Sequence, residues 1–217
     1  MRATMPAEGD WYINMDNDVK KMDLLITGVG GQGVVLASDI ISETAIAAGF
    51  DVKKTDTLGM AQRGGSVVSH VRIASKVWSP LIKEGDVDLI LALEKLEAAR
   101  WSHYLKPGGV AIINNYEQPP QSVSLGQEEY PDQNSIADSL KRRTNEVYFI
   151  DATGLAGELG NVRTLNILML GCFSVFAPID VNVWKESISR RMPEKLLEIN
   201  LTAFERGRKE IDGVRIG

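Results

Sequence analysis

The sequence predicts an α/β domain in which a mostly parallel sheet lies between two layers of helices. Three observations carry this expectation. Short apolar runs of strand length recur at Asp23–Gly28, Val87–Leu93, Val110–Asn114 and Glu146–Asp151. Stretches with helical spacing separate several of them, as in a chain that alternates strand and helix. The first run also ends in a cluster of glycines and passes directly into a helical pattern. At 217 residues the chain is long enough for one substantial core. The even spread of its apolar residues predicts a single domain, placed at 23–211, after an extension over residues 1–22 that is expected to be flexible. Met15 and Met22 both precede the first strand-like run, which fits a dispensable extension or an upstream start.

Taken in order, Leu24, Leu25 and Ile26 form the apolar part of the first strand, a buried run feeding a tight turn. Residues 33–48 follow as a helix, with Val34, Val35, Leu36, Ile40 and Ile41 among alanines, closed by Gly49. Phe50–Thr55 reads as a second strand, and Lys53 and Lys54 place it near a sheet edge. Ser66–Ile73 and Lys76–Ser79 alternate like two strands around an Ala-Ser turn, and such a hairpin would make the sheet mixed. Glu94–Leu105 is expected to be helical, and Gly108-Gly109 to precede the strand at Val110. Residues 116–133, rich in Pro, Gln, Ser and Glu, read as a long excursion without periodicity.

A helix near 134–144 comes next, then the Glu146–Asp151 strand. Thr164–Phe176 is almost continuously apolar and must be covered on all sides, by its own chain or by another subunit. Two outer helices, Val181–Arg191 and Pro193–Ile211, complete the pattern, the second with Pro at its first position.

Composition excludes several function classes. A formal net charge of −5 argues against nucleic-acid binding, which needs clustered Lys and Arg. The basic run Lys141-Arg142-Arg143 falls at a helix end, where it complements the dipole. Cys172 is the single cysteine, so neither an internal disulfide nor a four-thiolate iron–sulfur cluster belongs to this chain. Two histidines, His70 and His103, without cysteines nearby give no zinc site, and no metal is expected. No apolar stretch reaches the roughly 18 to 20 residues of a membrane span, and residues 1–21 carry charges where a signal peptide needs an apolar stretch. A cytoplasmic protein is expected.

Gly28-Val29-Gly30-Gly31-Gln32-Gly33 satisfies G-x-G-x-x-G between a strand and a helix. Glycines let the backbone turn sharply, and the helix start offers N–H groups and a positive dipole end to a phosphate. A purely structural tight turn satisfies the same spacing. The architecture is thus Rossmann-like, but a dinucleotide also needs an acidic residue at the end of the second strand. Asp51 starts that strand and Asp56 could serve only if the strand extends that far, so NAD stays open but unsupported and an independent NAD-dependent dehydrogenase is the least favoured reading.

The second constellation, Gly59-Met60-Ala61-Gln62-Arg63-Gly64-Gly65-Ser66, is a polar glycine-rich loop before a strand. Arg63 can hold a phosphate or carboxylate in two hydrogen bonds, Gln62 can donate and accept, and Gly64 and Gly65 permit close approach. An ordinary loop with a solvated Arg is its plainer reading. Glu94 and Glu97 fall near the carboxyl end of a strand, where α/β sheets place ligands and where they could face a site, but a solvated helix start is the preferred reading; His70 is expected as a structural hydrogen-bonder, His103 at a helix end and Cys172 as a buried, unreactive thiol. No nucleophile–base pair and no proton-transfer group accompanies the loops, so no catalytic residue is assigned and the chain is expected to bind or to complete a site.

The two loops, the second continuing as Val67-Val68-Ser69-His70-Val71-Arg72, resemble the gamma-type domain of the 2-oxoacid:ferredoxin oxidoreductases. Ser79-Pro80-Leu81-Ile82, Asp88–Glu94 and Asn166–Gly171 continue the likeness in order, so that it covers about residues 23–205. The Gly59–Ser66 wording is nearest to the beta subunits of the family's indolepyruvate-type members. The resemblance implies an accessory subunit, inactive alone, of an enzyme that converts a 2-oxoacid to an acyl-CoA and passes electrons to ferredoxin. It also implies that thiamine diphosphate, Mg and the iron–sulfur clusters belong to a large alpha-type partner.

By the same resemblance, Gly28, Gly30, Gly31, Gln32, Gly33, Gln62, Arg63, Gly64 and Gly65 are the candidates for contacts to coenzyme A phosphates or to the partner. Pyruvate, ketoisovalerate and 2-oxoglutarate remain open as substrates beside indolepyruvate, and a homodimer remains open for the isolated chain. A stand-alone nucleotide-binding regulatory module is the alternative of a different class.

Overall fold

A computed structural model describes residues 21–58 and 65–215 of the chain. Residues 1–20 of the expected extension lie outside them, and Met22 already opens the first strand. Six strands form one sheet: β1 Met22–Val29, β2 Asp51–Leu58, β3 Ser66–Ala74, β4 Val87–Ala92, β5 Leu105–Asn114 and β6 Glu146–Ile150. Their spatial order is β2-β3-β1-β4-β5-β6. Pairing is parallel from β1 through β4 and β5 to β6, whereas β3 runs antiparallel to both β1 and β2. The sheet is mixed because this one strand opposes the other five.

The helices are α1 Val34–Ala47, α2 Lys95–Trp101, α3 Gln121–Ser124, α4 Gln133–Lys141, α5 Ala152–Glu158, α6 Leu165–Ser174, α7 Val181–Arg191 and α8 Glu194–Arg215. Alternation along β1 divides them between the two sheet faces. Leu24 and Ile26 belong to a core shared with α1, α6, α7 and α8, whereas Leu25 points to the opposite face, where Ala98 of α2 and Ile136 and Leu140 of α4 cover it. The three-layer arrangement follows from that period of two.

Local chemistry sets the helix limits. Gly49, at φ 90, ends α1, with its N–H donating to the Ile46 carbonyl and the Phe50 N–H to Ala45, the paired pattern of a left-handed helix stop. Asp132, Asp151 and Asp180 cap α4, α5 and α7 through their side chains. Pro193 lies just before α8 rather than inside it, and its carbonyl accepts from Leu196.

Two expectations are corrected here. Lys76–Ser79 is not a strand; the hairpin forms between β2 and β3, and Val77 is instead held by its N–H donating to the Asp51 carboxylate at 2.9 Å. The Glu94–Leu105 helix ends early at Trp101, a 3-10 turn covers Ser102–Tyr104, and Leu105 through Gly109 already belong to β5. The register shift opposite Val87 and Leu89 accommodates these added strand residues.

The cover over the apolar segment comes from the same chain. From Ile167 to Ser174 every residue of α6 is buried, and α8 crosses it so closely that Gly171 lies against the Phe204 carbonyl and Gly207 against that of Leu168. Trp184 of α7 fills the adjoining space, its ring 5.7 Å from Phe173 and 6.2 Å from Phe204. No helix among the described residues is long and apolar enough to cross a membrane.

Candidate functional site

Strands β1 and β4 lie side by side and parallel, yet β1 leads into α1 on one face and β4 into α2 on the other. The chain therefore diverges at their carboxyl ends, and α/β sheets form ligand crevices at such a switch point. The glycine turn after β1 and Glu94 after β4 both sit there, joined by the Leu93 N–H donating to the Thr27 carbonyl at 2.8 Å.

The turn is closely determined. Gly31 and Gly33 adopt φ of 102 and 88, a region that suits glycine, and Gly33 is the cap residue of α1. Among the described residues no side chain caps α1, and its first turn holds no acidic residue, so the helix dipole at this end is uncompensated from within the helix. Gln32 folds back: its Oε1 accepts the Val29 N–H at 2.8 Å, and its Nε2 donates to Gln118 Oε1 at 3.1 Å. Gly28 leaves room for that Oε1, which would lie 2.8 Å from a Cβ there. Asn166 of α6 stands directly against Gly33, and its Oδ1 is buried without a hydrogen-bond partner among the described residues. A buried acceptor beside such a helix start suits a ligand that brings both negative charge and donors.

The two loops singled out in the sequence meet. The Gly30 N–H donates to the Gly65 carbonyl at 2.8 Å, because antiparallel pairing sets Val29 opposite Ser66. Gly28, Gly30, Gly31, Gln32, Gly33 and Gly65 therefore form one group. Gln62, Arg63 and Gly64 lie outside the described residues.

Glu94 and Glu97 correct the expectation of a solvated helix start, being 1% and 2% exposed. Glu94 caps α2 by accepting the Glu97 N–H at 2.8 Å, and also accepts from the Gln118 N–H at 3.2 Å and the Tyr130 hydroxyl at 2.5 Å. Glu97 accepts from Ser66 Oγ at 2.5 Å and Arg100 at 2.7 Å. The excursion after β5 folds back over Glu94, and the start of β3 lies against Glu97, so donors replace the water that the sequence alone suggested. Burial together with the Glu94 carboxylate pushes the Tyr130 phenol well above its usual range and keeps it a donor.

The remaining candidates are structural. Strand β3 separates β2 from β1, so the dinucleotide arrangement of adjacent first and second strands is not built. Asp51 holds Val77 and Lys53, while Asp56 accepts from Ser69 at 2.5 Å and pairs with Lys54 at 3.0 Å. His70 is buried with Nδ1 accepting from the Ile82 N–H at 3.4 Å, and burial lowers its pKa. His103 lies in the 3-10 turn beside the rings of Trp101 and Tyr104. Among the described residues no three His, Cys, Asp or Glu side chains converge as a metal site would.

Burial pushes the Cys172 thiol up to about 12, and Glu210 adds to the rise. At pH 8 its thiolate is then only roughly one part in ten thousand. Iodoacetamide is expected to leave Cys172 unmodified in the native protein and to alkylate it after denaturation, as read by intact mass; rapid native labelling would refute the burial.

Such a fold, with a glycine turn at the switch point and, among the described residues, no catalytic pair beside it, places the chain among α/β domains with a ligand crevice at this position. Residues 23–210 match the family described as pyruvate ferredoxin/flavodoxin oxidoreductase, and the chain belongs to it. It is similar to the indolepyruvate oxidoreductase subunit IorB of Thermococcus kodakarensis, 36% identical over 198 residues that span 88% of this chain and 96% of that one. The pyruvate/ketoisovalerate oxidoreductase common subunit gamma of the same organism is 27% identical over 190 residues, spanning 85% and 94%.

Among solved structures, a keto/oxoacid ferredoxin oxidoreductase gamma subunit from Geobacter sulfurreducens shares the fold, with a TM-score of 0.64 at 23% identity, covering 88% of this chain and 99% of that one. The 2-oxoglutarate:ferredoxin oxidoreductase of Magnetococcus marinus, with 2-oxoglutarate, coenzyme A and succinyl-CoA bound, gives 0.68 at 24% identity; 89% of this chain matches, spanning 31% of that chain. The protein is an accessory subunit of a 2-oxoacid:ferredoxin oxidoreductase.

Proposed function

We propose that this chain is the beta-type subunit of an indolepyruvate ferredoxin oxidoreductase and that its glycine turn binds the phosphates of coenzyme A. The observation that carries the second part is the uncapped N-terminus of α1, set at the switch point with the buried Asn166 Oδ1 beside it. Backbone N–H groups and the dipole of α1 favour a phosphate there, and Asn166 accepts a donor from the bound group. Gln62, Arg63 and Gly64 adjoin Gly65 in sequence and extend the site, Arg63 as its cation. Coenzyme A supplies the thiol that takes up the acyl group. Its presence in a 2-oxoglutarate enzyme of the same fold supports the reading.

The choice of an aryl 2-oxoacid rests on 36% identity to IorB against 27% to the pyruvate/ketoisovalerate gamma subunit. A large alpha-type partner carries thiamine diphosphate, Mg and the iron–sulfur clusters, and ferredoxin accepts the electrons of the complex in the cytoplasm. This chain contributes binding and shape and no catalytic residue.

Co-purification with the products of neighbouring genes, followed by 2-oxoacid- and coenzyme A-dependent dye reduction, tests both parts. Activity with indolepyruvate is expected only in the complex. Loss of a charge-assisted contact in Arg63→Ala is expected to raise the KM for coenzyme A about tenfold or more. A faster turnover of pyruvate, ketoisovalerate or 2-oxoglutarate would overturn the substrate, and an unchanged coenzyme A KM would overturn the role of Arg63. A chain that stays alone and binds nucleotide tightly would support a regulatory module instead.

A further inference from the structure

We infer that Glu94 is a positioning residue for the glycine turn: it fastens the start of the 115–130 segment at the switch point, so that Gln118 holds Gln32 and Gln32 holds the turn. Several contacts converge on this role. At the start of α2, the Lys95 N–H donates to the Tyr116 carbonyl at 3.1 Å. The Lys95 ammonium, its side chain 6% exposed, pairs with Glu117 at 2.6 Å. Glu94 then accepts the Gln118 N–H. Three consecutive residues, 116 to 118, are thereby held by two consecutive residues at the start of α2, Glu94 and Lys95.

The far end of the segment returns to the same carboxylate through the Tyr130 hydroxyl. With its backbone fixed in this way, Gln118 presents Oε1 to Gln32 Nε2. That contact leaves Gln32 Oε1 directed at the Val29 N–H, inside the turn. A carboxylate buried to this degree is stable only while donors surround it, and here the donors are the elements that need to be placed. Glu94 caps α2 two residues beyond the end of β4, so the rigid sheet is the reference against which the segment is set.

The consequence for ligand binding rests on the reading that coenzyme A occupies the turn, whereas the positioning itself does not. The experiment uses the complete enzyme complex and two readouts, the KM for coenzyme A against kcat, and amide hydrogen exchange across residues 28–34. Gln118→Ala removes one half-exposed side chain and leaves the core intact. It is expected to raise the coenzyme A KM about 3- to 10-fold, the effect of one hydrogen bond, with kcat changed less than about twofold and exchange faster across 28–34 but not in β4.

Glu94→Ala is expected to act in the same direction and more strongly, and Glu94→Gln, which keeps one carbonyl acceptor, to fall between it and wild type. Adding Gln118→Ala to Glu94→Ala should raise the KM no further, because both act through one contact. Unchanged exchange across 28–34 in Gln118→Ala would overturn the positioning role, even if Glu94→Ala fails to fold. Faster exchange with an unchanged coenzyme A KM would uphold the positioning and overturn coenzyme A as the occupant of the turn.

Discussion

Gly33→Ala is expected to be among the most damaging single substitutions at the site, lowering stability by about 2 to 4 kcal/mol and abolishing coenzyme A-dependent turnover in the complex. Two penalties add. An alanine at φ 88 leaves the backbone region that suits L-residues, at about 1 to 2 kcal/mol. Its Cβ would also collide with the Asn166 amide, which must turn away from its place against the glycine turn. Gly31 separates the two effects, since its φ is 102 but a Cβ there meets nothing within 4 Å. Gly31→Ala is therefore expected to show the conformational cost alone. The double variant Gly33→Ala/Asn166→Ala should recover part of the thermal stability lost in Gly33→Ala. Equal melting temperatures for Gly31→Ala and Gly33→Ala would contradict the close approach of Asn166.

The second large effect belongs to the crossing of α6 and α8. Glycine inside a helix usually costs about 0.5 to 1 kcal/mol relative to alanine, so Gly207→Ala would ordinarily stabilise. Here it should destabilise by about 3 kcal/mol or more, as overpacking against backbone does. A Cβ at Gly207 meets the Leu168 carbonyl, and one at Gly171 meets that of Phe204, neither of which is the movable end of a side chain. The Cys172 thiol also donates to the Gly207 carbonyl at 3.2 Å, so separating the helices breaks that contact too. Chemical denaturation of Gly207→Ala, with the exposed Gly213→Ala on the same helix as control, measures the effect. Gly207→Ala as stable as wild type would show that the helices can separate without cost.

Much of this was legible in the residue order. The first strand, the glycine turn, the α1 stop at Gly49 and the apolar α6 all depend on neighbours within a few positions, where periodicity and backbone preference act. The hairpin was only half legible. Ser66–Ile73 reads as a strand, but its partner is β2, and alternation alone cannot distinguish a pairing strand at 51–58 from a false one at 76–79. Glu94 and Glu97 show the same difficulty for charge. Acidic residues at a helix start are ordinarily solvated caps, and only the return of residues 116–130 over Glu94 and the start of β3 against Glu97 supply the donors that reverse that reading. Proline and glutamine in that segment suggested an excursion and gave no sign of where it folds.

By itself, then, the sequence determined the α/β class, the glycine turn after β1 and the absence of a four-cysteine cluster, because each depends on residue identity or short spacing. Tertiary structure alone decided that β3 separates β1 from β2, that Gly30 meets Gly65, that Asn166 faces Gly33 and that Glu94 holds Gln118. These contacts join residues 24 to 133 positions apart. They form only when the sheet brings those segments together, and no local preference encodes the direction from which a distant donor arrives.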